Sequence, residues 1–295
     1  MKEDMRYRGV IPSPPDDRDY QMINVIMGDH PACLSKKAVA KLNKPLPLHY
    51  RTPGFNKLIN HFDQGESGMC AACAGAYTRH AREHGQTLFA NKFSPSYIYA
   101  HRSGIPDNEE GMYLRDMFSI LKKYGCCSWK NFPHFGTYRQ VLKRYKKYAD
   151  RLDQIAKKYR IDSYYAINVD SKEEIKRAVY SLGAVVISVP CYEGCGPDWT
   201  AEEVKKNGKW IPMKWPEISG YEEDPERRGV LIGYHAMTIT GWTSKGWIVE
   251  NSWGDWGKSG AAVLPYDYPF GEAWTAIDDT TSKASMAKLN KRIVK

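Results

Sequence analysis

What this sequence lacks narrows its class before any motif is read. No run of eighteen apolar residues occurs, so it offers no helical membrane span. Its start, Met1-Lys2-Glu3-Asp4-Met5-Arg6, is charged and leads into prolines. No signal peptide is expected there, and the setting read from it is cytoplasmic or viral. Internal repeats, glycine-rich phosphate loops and low-complexity tracts are missing too, which removes solenoids and nucleotide-binding loops from the candidates.

Present instead is material for a real core: 42 % hydrophobic and 13 % aromatic residues in a chain of 295. The net charge of +9 is concentrated. From Tyr138 to Arg160 nine Lys/Arg face two Asp, and from Asp278 to Lys295 five Lys/Arg face two Asp. The rest of the chain is close to neutral. The 138–160 stretch has helical spacing with Tyr138, Tyr145, Tyr148 and Tyr159 interleaved. It reads as one amphipathic helix with a solvated cationic face, or as a contact for an anionic partner. No clear nucleic-acid or membrane partner is indicated.

The chain is organised around Asp63-Gln64-Gly65-Glu66-Ser67-Gly68-Met69-Cys70-Ala71-Ala72-Cys73-Ala74. Glycine turns lead into a run of small residues and cysteines that reads as a helix, placing Cys70 at its entrance. Unsatisfied backbone N–H groups and the helix dipole favour a thiolate there. Gln64 is close enough to fold back, and its amide with the Cys70 N–H would form an oxyanion hole. The base comes from Gly233-Tyr234-His235-Ala236-Met237-Thr238, where His235 opens an apolar strand. Further on lies Asn251-Ser252-Trp253-Gly254, followed by Trp256-Gly257 and Gly260.

On these pieces the chain resembles the papain-like (family C1) cysteine peptidases, of the prokaryotic or viral type with a short N-terminal lead-in. The resemblance covers roughly residues 45–277 and follows the family order of Cys, then His and Asn far downstream. It implies an α+β fold in two lobes, a helical left half and an antiparallel β-rich right half, with the site in the cleft between them. It implies an endopeptidase acting on protein or peptide substrates without cofactor or metal. Cys70 would be the nucleophile, forming a thioester acyl-enzyme. His235 would be its acid/base, in a thiolate–imidazolium pair, with Asn251 fixing the ring and Gln64 holding the oxyanion. Trp253 would cover the His235–Asn251 bond, and Gly111 and Met112 would flank the substrate backbone. The same chemistry also serves acyl transferases and amidases, and a silent binding module with this fold is the remaining alternative.

Some positions depart from the family pattern. Met69 and Ala71 flank the nucleophile where Ser and Trp are usual, and Ser67 replaces a cysteine often disulfide-bonded in secreted members. The Ser67 change favours a reducing compartment. Cys70 and His235 are 165 residues apart, longer than the usual ~130–150, which fits an insertion between Tyr192 and Gly229. That insertion, Glu193–Arg228, is expected to act as a lid or specificity loop.

The expected organisation is an N-terminal extension over 1–45, either a surface strap or a short inhibitory arm, a peptidase domain over 46–277 and a basic tail over 278–295. Seven cysteines leave six besides the nucleophile. Cys126-Cys127 reads as two buried thiols, and Cys191 and Cys195 as thiols or a metal knot. His80 and His84, one turn apart, read as a solvated face or a metal pair. Ser94-Pro95 reads as a helix start and Leu114–Tyr124 as a helix ended by Gly125. Ile161–Val169 reads as a strand, Asp170-Ser171 as a cap, and Gly183 as the stop before an apolar strand.

Overall fold

The computed structural model describes residues 9–27, 44–55, 61–87, 92–192 and 230–278. The insertion at 193–228 and all but the first residue of the basic tail lie outside the described residues. Two hydrophobic cores share one curled sheet. The helical lobe gathers α2 (Cys70–Thr87), α3 (Pro95–Ala100), α4 (Leu114–Lys123), α5 (Tyr138–Lys146) and α6 (Ala149–Ala156). The second lobe packs α7 (Lys172–Leu182) and α1 (Met22–Met27) against the strands. Its sheet holds β4 (Ser163–Ala166), β5 (Val185–Tyr192), β6 (Leu231–Trp242), β7 (Gly246–Glu250), β8 (Ala261–Pro265) and β9 (Glu272–Ile277). This is an α+β arrangement in two lobes, helical on one side and antiparallel-rich on the other.

Short strands β1 (Val10–Ile11), β2 (Tyr50–Arg51) and β3 (Met112–Tyr113) complete the sheet, whose order is β3-β1-β6-β5-β9-β4. The central strand, β6, also pairs with β2 and β7, and β8 follows β7. Only the β1–β3 pair is parallel among the described strands. At twelve residues β6 is long enough to serve two layers, and its pairing with β7 shifts register between Ile239 and Gly241. Gly241 is required there, because a Cβ would lie 2.2 Å from the Tyr50 carbonyl oxygen.

Local chemistry explains the element ends. Ser94 caps α3 by accepting the Tyr97 N–H, with Pro95 in the first turn. Ser171 accepts the Glu174 N–H at the head of α7, and Gly183 ends that helix in the left-handed region at φ 95°. α4 buries Leu114, Met117, Phe118, Ile120 and Leu121, and Gly125 follows at φ 81°. α2 has no polar stripe: every residue from Cys70 to Ala81 is buried, so small side chains let neighbours approach from all sides.

Three expectations are corrected. The 138–160 stretch is two helices and a 3-10 turn (Lys157–Tyr159), because the chain turns at Lys147–Tyr148 to bring Leu152 and Ala156 onto the same core as Val141. Its nine Lys/Arg side chains are all exposed. His80 and His84 are buried rather than solvated: His80 meets the edge of Phe55 with centroids 5.2 Å apart, and His84 abuts Gly54. β6 begins at Leu231, four residues before His235, because Gly233 and Tyr234 pair with the end of β5. The pair Cys126-Cys127 is buried and unbridged, as its sequence suggested.

β7 ends in Glu250, fully buried and held by Arg51 (2.6 Å), His61 (2.8 Å) and Thr240 (2.6 Å). Burial pushes its pKa up, but Arg51, His61 and Thr240 outweigh burial and hold it below the ordinary value. A depressed folded pKa gives stability above the unfolded value of about 4.3 that is lost as pH falls through the folded value. Glu250→Gln should therefore cost about 3 kcal/mol at pH 7. Urea unfolding should show the gap to wild type narrowing on acidification below about pH 4. Gly125→Ala should cost about 2–3 kcal/mol, because φ is positive and its Cβ would sit 2.1 Å from the Ala156 oxygen. Its urea midpoint should fall accordingly.

Candidate active site

α2 starts where Gly68 and Met69 turn into Cys70, and the Cys73 N–H donates to the Met69 oxygen at 3.0 Å. The N–H groups of Cys70 and Ala71 thus have no partner within the helix and lie beside the sulfur. From β6, the Ala236 N–H donates to Cys70 Sγ at 3.4 Å. The residue after His235 on β6 therefore touches the Cys70 sulfur through its backbone.

The far side of the imidazole is fixed by Asn251. His235 Nε2 and Asn251 Oδ1 are 2.7 Å apart, and the Ser252 N–H donates to the same Oδ1 at 2.7 Å. Because a backbone N–H must meet an acceptor, that atom is the amide oxygen. Nε2 therefore carries the proton, and the base of the neutral ring is Nδ1. Trp253 covers the pair, its ring 4.7 Å from that of His235 and tilted by 32°. Both His235 and Asn251 are buried.

Gln64 is set with equal care. Its Nε2 donates to the Ser67 oxygen at 2.7 Å, its Oε1 accepts from Ser252 Oγ, and its backbone N–H donates to the Ser252 oxygen. One amide hydrogen is used, leaving a second on the same nitrogen for an oxyanion. The structure thus links His235, Asn251, Ser252 and Gln64 by hydrogen bonds, with the half-buried Trp253 over the His235 ring and Cys70 against Ala236. Gly111 and Met112 form the neighbouring wall. Gly111 is tied at both ends, its N–H to Tyr99 Oη (2.9 Å) and its oxygen to Arg102 (2.6 Å). The outward pairing falls to Met112.

Several residues in this arrangement escaped sequence reasoning. Tyr77 lies two turns below Cys70 on the same face, and that seven-residue spacing was the available signal. Its hydroxyl donates to the Asn251 oxygen at 3.1 Å and accepts the Phe62 N–H at 3.0 Å. Glu110 accepts from Tyr99 Oη (2.9 Å), the Gly68 N–H (3.3 Å) and the Tyr138 N–H (2.8 Å), clamping the loop ahead of Cys70.

Gly9 was missed as well. The segment from Gly9 runs through the cleft between the lobes: β1 pairs with β3 on one side and with Tyr234 of β6 on the other. A Cβ on Gly9 would lie 2.5 Å from Cys70 Sγ, so the chain crosses the sulfur where only glycine fits. The Gly9 oxygen accepts the Met112 N–H at 3.1 Å, the Ser13 N–H donates to Glu272 at 2.8 Å, and Asp19 pairs with Arg115.

Under this cover Cys70 is fully buried. Burial pushes its thiol up to about 12, against the pull of the N–H groups of Ala236, Ala71 and Cys70 itself. In the covered state burial thus works against the ion pair expected at neutral pH, outweighing the pull of the helix end.

A scan against protein-family models finds no match. Comparison with solved structures does. Xylellain, a cysteine protease from Xylella fastidiosa, superposes with a TM-score of 0.66 at 23 % identity, over 94 % of this chain and 98 % of that one. The fold is papain-like. Procathepsin B from Trypanosoma congolense gives 0.61 at 14 % identity, covering 95 % and 88 % of the two chains. Bromelain from Ananas comosus, in complex with the E64 inhibitor, gives 0.57 at 16 % identity over 79 % of this chain and all of that one (100 %).

The anchoring of the imidazole is open to test. Asn251→Ala should slow iodoacetamide alkylation of Cys70 at pH 7 about tenfold, the worth of one well-made hydrogen bond. A stopped-time mass assay reads it, with urea unfolding reporting that the fold persists.

Proposed function

We propose that the chain is a papain-like cysteine peptidase hydrolysing peptide bonds in protein or peptide substrates. The observation that carries this reading is the shared Asn251 oxygen, which sets the His235 tautomer while the next residue, Ala236, touches the Cys70 sulfur. With the cleft open, His235 Nδ1 takes the Cys70 proton and the thiolate attacks the substrate carbonyl. The developing oxyanion meets the Cys70 N–H and the second Gln64 amide hydrogen. His235 protonates the leaving amine, leaving a thioester on Cys70. It then deprotonates a water that hydrolyses the thioester.

The segment from Gly9 supports a second element of this reading, a tethered inhibitory arm. It lies between β3 and β6 over the Cys70 sulfur, and its Gly9 oxygen is engaged by the Met112 N–H. The exposed cationic face of α5 and α6 supports an anionic partner as a separate contact.

An epoxysuccinyl warhead of the E64 type tests the peptidase reading, with intact mass as readout. Gly9→Val should label about tenfold faster than wild type, the effect of about 1.4 kcal/mol of lost arm binding. Cys70→Ala should take no label. Because the covered state holds Cys70 protonated, cover is favoured below the uncovered thiol pKa and lost as pH rises above it. The wild-type rate should therefore keep climbing with pH after that of Gly9→Val has levelled. Absence of label in both proteins would move the reading to a silent binding module.

A further inference from the structure

We propose that Cys70 and Cys73 form a reversible disulfide across the first turn of α2, an oxidative modification site built onto the nucleophile. The proposal rests on reading Cys70 as the reactive thiol that the arm uncovers. Cys70-Ala71-Ala72-Cys73 is a C-x-x-C sequence at a helix entrance, a spacing suited to thiol–disulfide exchange. Both sulfurs are buried thiols in the covered state, and neither is bridged.

Geometry favours this pairing over the other cysteines. Three residues of helix place the two Cα atoms about 5 Å apart, inside the roughly 4.4–6.8 Å window of disulfides. The Cβ atoms, about 5–6 Å apart in a regular helix, must close to about 3.8 Å, so the first turn tightens. That movement disturbs little. The Cys73 N–H makes the first helical bond, to Met69, so Cys70 can move inward without giving up an intrahelical donor. The resulting strain makes the bond easily reduced, which suits a labile rather than a structural disulfide.

The surroundings of Cys73 are also suited to a resolving thiol. Burial, and then Cys70 beside it, push its pKa well up, while the Ser252 side chain and the Lys92 ammonium pull it back. Lys92 is half-buried over the rings of Phe62 and Trp129, 4.6 and 5.0 Å from their centroids, so it stays close to Cys73. The Ser252 hydroxyl beside Cys73 gives its one hydrogen to Gln64 Oε1, so drawing Cys73 towards Cys70 disturbs the proposed oxyanion donor as well as removing the nucleophile.

Hydrogen peroxide is the oxidant. The Cys70 thiolate attacks one peroxide oxygen and the O–O bond breaks. This leaves a sulfenic acid on Cys70 and releases hydroxide, which takes a proton to give water. The Cys73 sulfur then attacks Cys70, the S–O bond breaks, a second water leaves and the disulfide forms. A dithiol such as dithiothreitol returns both thiols by exchange.

The test uses full-length wild type, Gly9→Val and Gly9→Val/Cys73→Ser, each titrated with peroxide and read by intact mass and peptide mapping. Gly9→Val should lose the mass of two hydrogens, map to a Cys70–Cys73 link and regain all epoxysuccinyl labelling after dithiothreitol. The Cys73→Ser double variant should instead gain two or three oxygens on Cys70 and recover none. Wild type should follow Gly9→Val more slowly. Over-oxidation of Cys70 in Gly9→Val, a link from Cys70 to any other cysteine, or no change at Cys70 would each overturn the proposal. The mapping on Gly9→Val decides even if the double variant fails to fold. The two readings also fail separately. A Cys70–Cys73 link in a protein that never takes the warhead would sink the peptidase reading alone. Labelling without the link would sink only this proposal.

Discussion

The arrangement depends on one constraint: the N-terminal end of α2 is pressed against β6, with the Cys70 sulfur at the contact. Small residues along α2, glycines in the approaching loops and the Glu110 clamp all serve that close approach. Magnitudes decide the state of the sulfur. Helix ends stabilise an anion by about 0.3–1 kcal/mol, and by about 2 in favourable geometries. A thiol pushed from 9.0 up to about 12 reflects on the order of 4 kcal/mol against the thiolate. On that balance burial outweighs the helix end and favours the protonated thiol while Gly9 covers it.

A second consequence concerns rigidity. Asn251 is tied through its backbone oxygen to Tyr77 on α2, through its N–H to Gly260, and through its side chain to both Ser252 and His235. Ser252 in turn bonds Gln64. The His235 imidazole and the Gln64 amide are thus set by adjacent residues of one short segment, and a shift of that segment would move both together.

Much of this was legible in the sequence, for identifiable reasons. Cys70, Gln64, His235 and Asn251 stood out because few residue types could perform the chemistry proposed for them. Ser94-Pro95, Ser171 and Gly183 were readable because caps and stops are made within four residues of chain. What escaped reading is made by distant partners. Gly9 gains its meaning from a sulfur sixty-one positions away. Glu110 joins α3, the start of α5 and the loop before Cys70 through hydrogen bonds that no local pattern encodes. His80 and His84 looked like a solvated pair because they are polar at helical spacing, yet α2 is enclosed on every side. The break in 138–160 was hidden because both halves continue the same apolar periodicity.

The cover that the segment from Gly9 makes over Cys70 rests on weak contacts. Burying Val10 contributes about 2 kcal/mol, and each of its few backbone hydrogen bonds about 1. The partly exposed Asp19–Arg115 pair adds no more than about 1. Against these stands about 1–2 kcal/mol of backbone entropy for each residue ordered. An untethered peptide of this length would bind poorly. Carried on the same chain, it meets the cleft at an effective concentration near the millimolar range, so modest contacts suffice. The same modesty concentrates the segment's grip at its tightest point, where a glycine lies on the sulfur and a single added methyl group would have no room.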